Sequence, residues 1–140
     1  MQDMLPLNRP PKQQFISPFK INQFKYETAT SKRVLSFLMD ENVCLKNRLS
    51  EILKNSFEKN LLEEMEIFQN KFIEVDERLE SLRADVAALD KLLLTEWLEA
   101  ELFMSGINNT LKNIRTNVEI SETEFGKLKS AFSIYLLDNM

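Results

Sequence analysis

The sequence predicts an all-α protein, an elongated three-helix antiparallel bundle of coiled-coil hairpins with a disordered N-terminal arm. Apolar residues recur over long stretches at alternating steps of four and three, which is the period of packed helices. Only 2 of the 140 residues are glycine, too few for the tight turns of a β-rich fold. All 4 prolines lie near the N-terminus. We therefore expect an arm over residues 1–26 and one helical domain over 27–140.

The arm combines prolines with aromatic and basic side chains. Prolines block helix formation and favour an extended chain, so we expect residues 1–26 to be disordered. Six basic and two acidic side chains make residues 1–33 positive, whereas the whole chain has a net charge of −4. The apolar side chains of the arm either fold back onto its own helices or dock into a partner's groove. The candidate docking residues are Phe15, Phe19, Ile21, Phe24 and Tyr26.

The first helix is predicted over residues 28–55, with Thr28 or Thr30 as its N-cap. Its apolar seam consists of Leu35, Leu38, Asn42, Leu45, Leu49 and Ile52. Asn42 is the polar member of this seam. Such an asparagine either is buried and fixes register or oligomeric state, or lies at the seam edge and is hydrated. Asn42 is therefore a further candidate partner-binding residue.

A turn is predicted over residues 54–60, because the seam changes phase there. The first seam would continue at positions 56 and 59, which hold polar residues, and Asn60 with Glu63 fits a capping box. Since no glycine or proline stops the helix, one continuous helix through this segment is the alternative.

The second helix is predicted over residues 60–104. Its ten seam residues are Leu61, Met65, Phe68, Phe72, Val75, Leu79, Leu82, Val86, Leu89 and Leu93. Residues 60–104 hold twelve acidic and four basic side chains, and the acidic ones indicate a solvated outer face. The flanking charges disfavour a parallel homodimer of this helix, so we expect antiparallel packing against its neighbours. At about 1.5 Å per residue it would be roughly 65 Å long against about 45 Å for each neighbour, leaving part of it for a partner.

A second turn is predicted over residues 104–109. Gly106 suits the position after a helix end, and Asn109 or Thr110 suits an N-cap. Trp97 precedes this turn and is a candidate partner-binding residue, although packing over the end of the core is the more ordinary role for it.

The third helix is predicted over residues 109–138. Its seam consists of Leu111, Ile114, Val118, Ser121, Phe125, Leu128, Phe132 and Tyr135. Near its end the apolar stripe is broadened by Ala131, Ile134, Leu136 and Leu137. A wide apolar face at a terminus would suit an association surface.

The composition argues against catalysis. The chain has no histidine, the commonest general base and metal ligand, and Cys44 has no base to activate it. Two glycines twenty residues apart cannot form a phosphate-binding loop. The acidic clusters at 63–66 and 76–80 lie off the seam. We therefore expect no enzyme activity, no catalytic or metal-binding residue, no cofactor and no small-molecule substrate.

The compartment is predicted to be the cytoplasm. The lone Cys44 cannot close an intramolecular disulfide, and the N-terminus lacks the apolar core of a secretory signal. No run of about 18 apolar residues is present, so we expect no transmembrane segment.

Two segments carry a resemblance to known proteins. Residues 26–35 read YETATSKRVL and residues 40–49 read DENVCLKNRL. They resemble small uncharacterised bacterial helical (coiled-coil) proteins, over most of the chain after residue 20. The resemblance implies a helical fold, and no activity or site residue comes with it.

The expected function is non-enzymatic protein–protein interaction or scaffolding through extended amphipathic helices, with assembly into an oligomer as one form of it. The alternative is a peripheral regulator that contacts a membrane surface or nucleic acid through its basic arm. Nucleic acid is the less expected partner, because the positive charge of the arm is spread thinly.

Overall fold

The computed structural model describes residues 18–55, 58–94 and 100–139, with the backbone alone for residues 100–104. They form three α-helices: α1 (Pro18–Asn55), α2 (Lys59–Leu93) and α3 (Ala100–Asn139). No strand occurs in these described ranges. The predicted all-α class with three helices is therefore confirmed, and each helix contacts the other two in a bundle.

The helices have nearly equal lengths of 38, 35 and 40 residues. At about 1.5 Å per residue each is roughly 50–60 Å long. The prediction of a second helix much longer than its neighbours is therefore wrong. No surplus length of α2 remains for a partner to cover.

α1 begins at Pro18, well before the predicted start at residue 28. Proline is well tolerated in the first turn of a helix, where its missing N–H would have no intrahelical partner anyway. Residues 18–26, predicted as part of the disordered arm, are thus helical. The physical reason is tertiary, because Phe24 is only 1% exposed and packs in the core. The remainder of the predicted arm lies outside the described residues.

The predicted N-caps of the first helix lie inside α1 instead. Thr28 Oγ1 donates to the carbonyl oxygen of Lys25 at 2.9 Å, and Thr30 Oγ1 donates to that of Tyr26 at 3.0 Å. Both hydroxyls therefore bond back to the preceding turn, as threonines do within a helix.

The first predicted turn is confirmed. α1 ends at Asn55 and α2 begins at Lys59, and Glu58 between them has the extended backbone angles φ −75° and ψ 122°. The alternative of one continuous helix is therefore excluded. The capping prediction is wrong, because Glu58 is the N-cap residue and makes no side-chain cap bond, while Asn60 lies within α2.

The second helix ends earlier, and the third helix begins earlier, than predicted. α2 ends at Leu93, followed by Leu94, whose amide donates to the carbonyl oxygen of Asp90 at 3.2 Å. α3 already begins at Ala100, so the predicted turn at 104–109 is wrong and Gly106 lies inside a helix. A glycine costs only about 1 kcal/mol in a helix interior. Burial of the next residue, Ile107, extends the third seam past it.

The predicted seams form the core. Seven of the ten predicted seam residues of α2 are buried, and the other three are half-buried. In α1 the seam residues Leu35, Leu38, Asn42 and Leu49 are buried, and in α3 all but Leu128 and Tyr135 are. Heptad spacing thus identified the inward faces of all three helices.

The core is divided into two clusters. The larger contains Phe24, Leu35, Leu38, Leu79, Leu82, Val86, Leu89, Leu93, Ile107, Leu111, Ile114, Val118 and Phe125. The smaller contains Leu49, Met65, Phe72, Phe132 and Leu136, and the Phe72 and Phe132 rings meet edge to face at 5.2 Å. Along α1, the buried Asn42 lies between the Leu38 of one cluster and the Leu49 of the other.

Ion pairs align α1 with α2. Lys32 pairs with Asp90, and Lys46 pairs with Asp76. Fourteen residues separate the two lysines along α1, and fourteen separate their partners along α2, which is two heptads on each helix. Since these side chains are partly exposed, the pairs contribute little stability and act mainly on alignment.

Ion pairs of the opposite polarity align α1 with α3. Glu27 pairs with Arg115, and Glu41 pairs with Lys129 at 2.8 Å, both across 88 residues of sequence. Residue numbers therefore rise in the same direction along α1 and α3. α1 presents lysines to α2 and glutamates to α3, which distinguishes its two neighbours by charge.

Candidate interaction surface

The aromatic and aliphatic candidates at the start of α1 divide into two groups. Phe24 is 1% exposed, and Ile21 packs half-buried against the larger core cluster. Phe19 and Tyr26 are 80% and 68% exposed. Of the two interpretations of the arm, folding back therefore holds for Phe24 and Ile21. Among the described candidates, only Phe19 and Tyr26 are left to dock. Phe15 lies outside the described residues.

The division follows from helix geometry. Phe19 and Tyr26 are seven residues apart, about two turns, and so lie on one face. Phe24 is five residues after Phe19 and therefore lies roughly 140° around the helix. A segment that alternates apolar and basic residues as an extended chain is thereby split by helix formation into a core face and an outer face.

Phe37 extends the exposed line and was missed by sequence reasoning. It is 60% exposed and lies 18 residues after Phe19, five full turns along the same face. We call Phe19, Tyr26 and Phe37 together the aromatic face of α1. The spacing of eleven residues from Tyr26 could have identified Phe37, because eleven residues are close to three full turns of a helix.

Polar groups of both signs accompany the aromatic face. Arg33 Nη2 donates to Thr30 Oγ1 at 3.1 Å, one turn apart between Tyr26 and Phe37. The exposed side chains of Lys25 and Asp40 flank the same line. Apolar aromatic rings within a polar surround are the usual anatomy of a protein interface.

Asn42 is fully buried, at 0% exposed. Its Nδ2 donates to the Phe72 carbonyl oxygen at 3.1 Å and to Asp76 Oδ1 at 2.7 Å, while its own Oδ1 has no donor. The buried alternative is therefore correct and the hydrated one is wrong. Because its partners lie on α2 of the same chain, Asn42 bonds within the chain and is not accessible to a binding partner.

The end of α3 is less continuous than predicted. Leu136 is buried in the smaller cluster, whereas Ile134 and Leu137 are 58% and 83% exposed. The broad apolar face is therefore reduced to these two large exposed residues one turn apart, with the small exposed Ala131 one turn before Ile134. Trp97, the other aromatic candidate near a helix end, lies outside the described residues.

Tyr135 closes the core near this end. Its ring centroid lies 5.5 Å from that of Phe68. Burial raises the pKa of the Tyr135 phenol, and the negative charge and hydrogen bond of Glu64 raise it further. The phenol is thus held in its neutral form, which suits a packing role.

The acidic side chains of α2 fall into two groups, those that pair with α1 and those that are exposed. Asp76 and Asp90 pair with lysines of α1, while Glu63, Glu66 and Glu77 are exposed. Within the described ranges, no three His, Cys, Asp or Glu side chains are grouped so that they could hold a metal ion. Nor does any helix in these ranges have the length and apolar character needed to cross a membrane.

No family model, curated protein or solved structure matches this chain. The resemblance to small bacterial helical proteins therefore stays a prediction.

Proposed function

We propose that this chain is a non-enzymatic protein-interaction or scaffolding protein of the cytoplasm, built as an elongated antiparallel three-helix bundle. Its binding surface is the aromatic face of α1. One observation carries the proposal: Phe19, Tyr26 and Phe37 lie exposed in one line on a helix whose opposite side already packs in the core.

The physical reason is the free energy that these rings release when they leave water. Burial of a large apolar side chain stabilises by about 1.5–3 kcal/mol, and aromatic residues dominate the energetics of interfaces. Apolar residues scattered singly over a surface need no explanation, whereas three exposed rings on one line of a helix can all be covered by a single partner helix. From Phe19 to Phe37 the face extends roughly 27 Å, a length suited to pairing with another helix.

Site-specific photo-crosslinking tests the proposal. A photoreactive amino acid is placed at Tyr26 or Phe37 in the intact chain within its native cells, and at the exposed Thr116 of α3 as a control. We expect protein adducts from the two positions on the aromatic face and few from position 116. Equal yields at all three positions, or no protein adduct at any, would contradict the proposal.

A peripheral role at an anionic membrane surface is the second candidate, and the placement of Lys25 beside the exposed Phe19 and Tyr26 favours it. Aromatic rings at the interface together with lysines near anionic lipid are the means by which such helices bind. Co-sedimentation with anionic vesicles at low and high salt separates the two candidates. Membrane binding predicts salt-sensitive sedimentation with the vesicles, which Phe19→Ser and Tyr26→Ser abolish. Protein binding predicts no sedimentation with the vesicles.

A further inference from the structure

We propose that the aromatic face of α1 is occupied by the α1 helix of a second copy of this chain. The two helices run antiparallel about a twofold axis between residues 31 and 32. This inference rests on the proposed function and names the partner for the same surface.

The first argument is the spacing of the outward line of α1. The line consists of Phe19, Gln23, Tyr26, Thr30, Arg33, Phe37, Asp40 and Cys44, all exposed or half-buried. The intervals between successive residues of this line alternate between four and three, and the series of intervals is the same from either end. Two antiparallel copies can therefore match along the whole line, with facing residue numbers that sum to 63.

The second argument is what this alignment places together. Tyr26 of one copy faces Phe37 of the other, and by symmetry the pair forms twice, once on each side of the axis. Phe19 faces Cys44, an aromatic ring against a small and weakly polar thiol. A single alignment thus covers all three rings of both copies, which are 80%, 68% and 60% exposed in one chain.

The third argument is charge complementarity. Lys25 lies beside the line, on the side on which Asp40 forms its edge, and both side chains are exposed. In the antiparallel alignment each Lys25 comes near Asp40 of the other copy, which gives two attractive pairs. A parallel alignment would instead place Arg33 on Arg33 and leave Lys25 fifteen residues along the helix from Asp40 of the other copy. The antiparallel arrangement keeps one repulsive contact, between the two Arg33 side chains near the axis.

A charge exchange tests the alignment, with the dimer dissociation constant of the full chain measured by sedimentation equilibrium. We expect Lys25→Asp alone and Asp40→Lys alone each to raise that constant about tenfold, because each turns two attractions between exposed groups into repulsions. The double variant should restore it, since the charges are attractive again after exchange. Arg33→Gln should lower it, because the repulsion at the axis is removed.

Matched apolar variants test the surface. The double variant Tyr26→Ser with Phe37→Ser is expected to raise the dissociation constant about a hundredfold or more, because it removes four aromatic rings from the interface of one dimer. Ile120→Ser with Ile134→Ser is the control, a pair of 47% and 58% exposed residues on an outer face of α3. We expect the control to leave the constant unchanged. All of these positions are on the surface, so circular dichroism should show the same helix content throughout.

Several outcomes would overturn the inference. A chain that stays monomeric at every accessible concentration has no second copy on α1. A dimer that the control variants disrupt is formed through α3. A dimer that the double charge exchange fails to restore is not aligned antiparallel.

The photo-crosslinks distinguish these failures from failure of the proposed function. Adducts to a different protein through Tyr26 would retain the protein-binding role of the face and reject only the second copy.

Discussion

Replacing Asn42 by leucine is expected to make the folded chain more stable and its helix alignment less specific. Asn42 is 0% exposed and lies between the two apolar clusters of the core. The substitution removes two hydrogen bonds and one buried polar group, and joins the clusters into a continuous apolar core. The direction of the change in unfolding free energy depends on which of these effects is larger.

The cost of the substitution is modest. The bond to the Phe72 carbonyl oxygen contributes about 1 kcal/mol, and that oxygen retains its place in the backbone ladder of α2. The bond to Asp76 is charge-assisted, but the Asp76 side chain is 35% exposed and keeps its ion pair with Lys46. Water and Lys46 can therefore replace most of the interaction that Asp76 loses. We estimate that losing both hydrogen bonds of Asn42 costs about 2 kcal/mol in total.

The gain is larger. Asn42 Oδ1 is buried without a donor, a penalty of about 1–3 kcal/mol that leucine does not carry. Burial of the leucine side chain adds about 1.5–3 kcal/mol. We therefore expect a net stabilisation of about 0.5–4 kcal/mol for Asn42→Leu. Asn42→Ala loses the same bonds without filling the space, so it should be less stable than the natural chain.

Urea unfolding followed by circular dichroism measures both variants. Amide NMR spectra report alignment, because additional sets of peaks would show α1 and α2 packed in more than one register once the Asn42–Asp76 bond is lost. If Asn42→Leu lowers the unfolding free energy by more than about 1 kcal/mol, the hydrogen bonds outweigh apolar burial and the reasoning is refuted. A single set of peaks would show that the ion pairs alone suffice for register.

Three further predictions concern packing, helix continuity and pH. Phe72→Ala should lower the unfolding free energy by about 3–5 kcal/mol, whereas the 44% exposed Ile73→Ala should change it far less in the same urea experiment. Gly106→Ala should raise the melting temperature, by the equivalent of about 1 kcal/mol, because Gly106 lies within α3 without a positive φ and with open space for a Cβ; a lower melting temperature would indicate that a helix ends there. Stability should be lost as pH rises above about 10, because the raised pKa of Tyr135 keeps the proton on the folded chain after the unfolded chain has released it. Unfolding of Tyr135→Phe should show a weaker pH dependence, and an identical dependence would exclude Tyr135 as its source.

Periodicity in the sequence was enough to predict the class and the core. The steps of four and three identified the inward residues of each helix before any neighbour was known, because a helix has a constant angle per residue. The change of phase at residues 56–59 likewise located the first turn, since a seam cannot remain inward on a new phase without a break.

Local signals were insufficient at the other two boundaries. Prolines suggested that the chain is extended up to residue 26, yet Pro18 starts a helix because burial of Phe24 favours one there. Gly106 suggested a helix end, yet α3 continues through it because Ile107 and the seam after it are buried. At Gly106 packing exceeds a local cost of about 1 kcal/mol. At Pro18 no such cost arises, because proline is tolerated in the first turn of a helix.

The sequence by itself determined the helical class, the core-facing side of each helix and the position of the first turn. Only the tertiary structure decided that Asn42 bonds within the chain, and that Phe24 is covered while Phe19, Tyr26 and Phe37 are not. The physical reason is that periodicity is a property of one helix, whereas covering a face requires the neighbours that occupy the space around it.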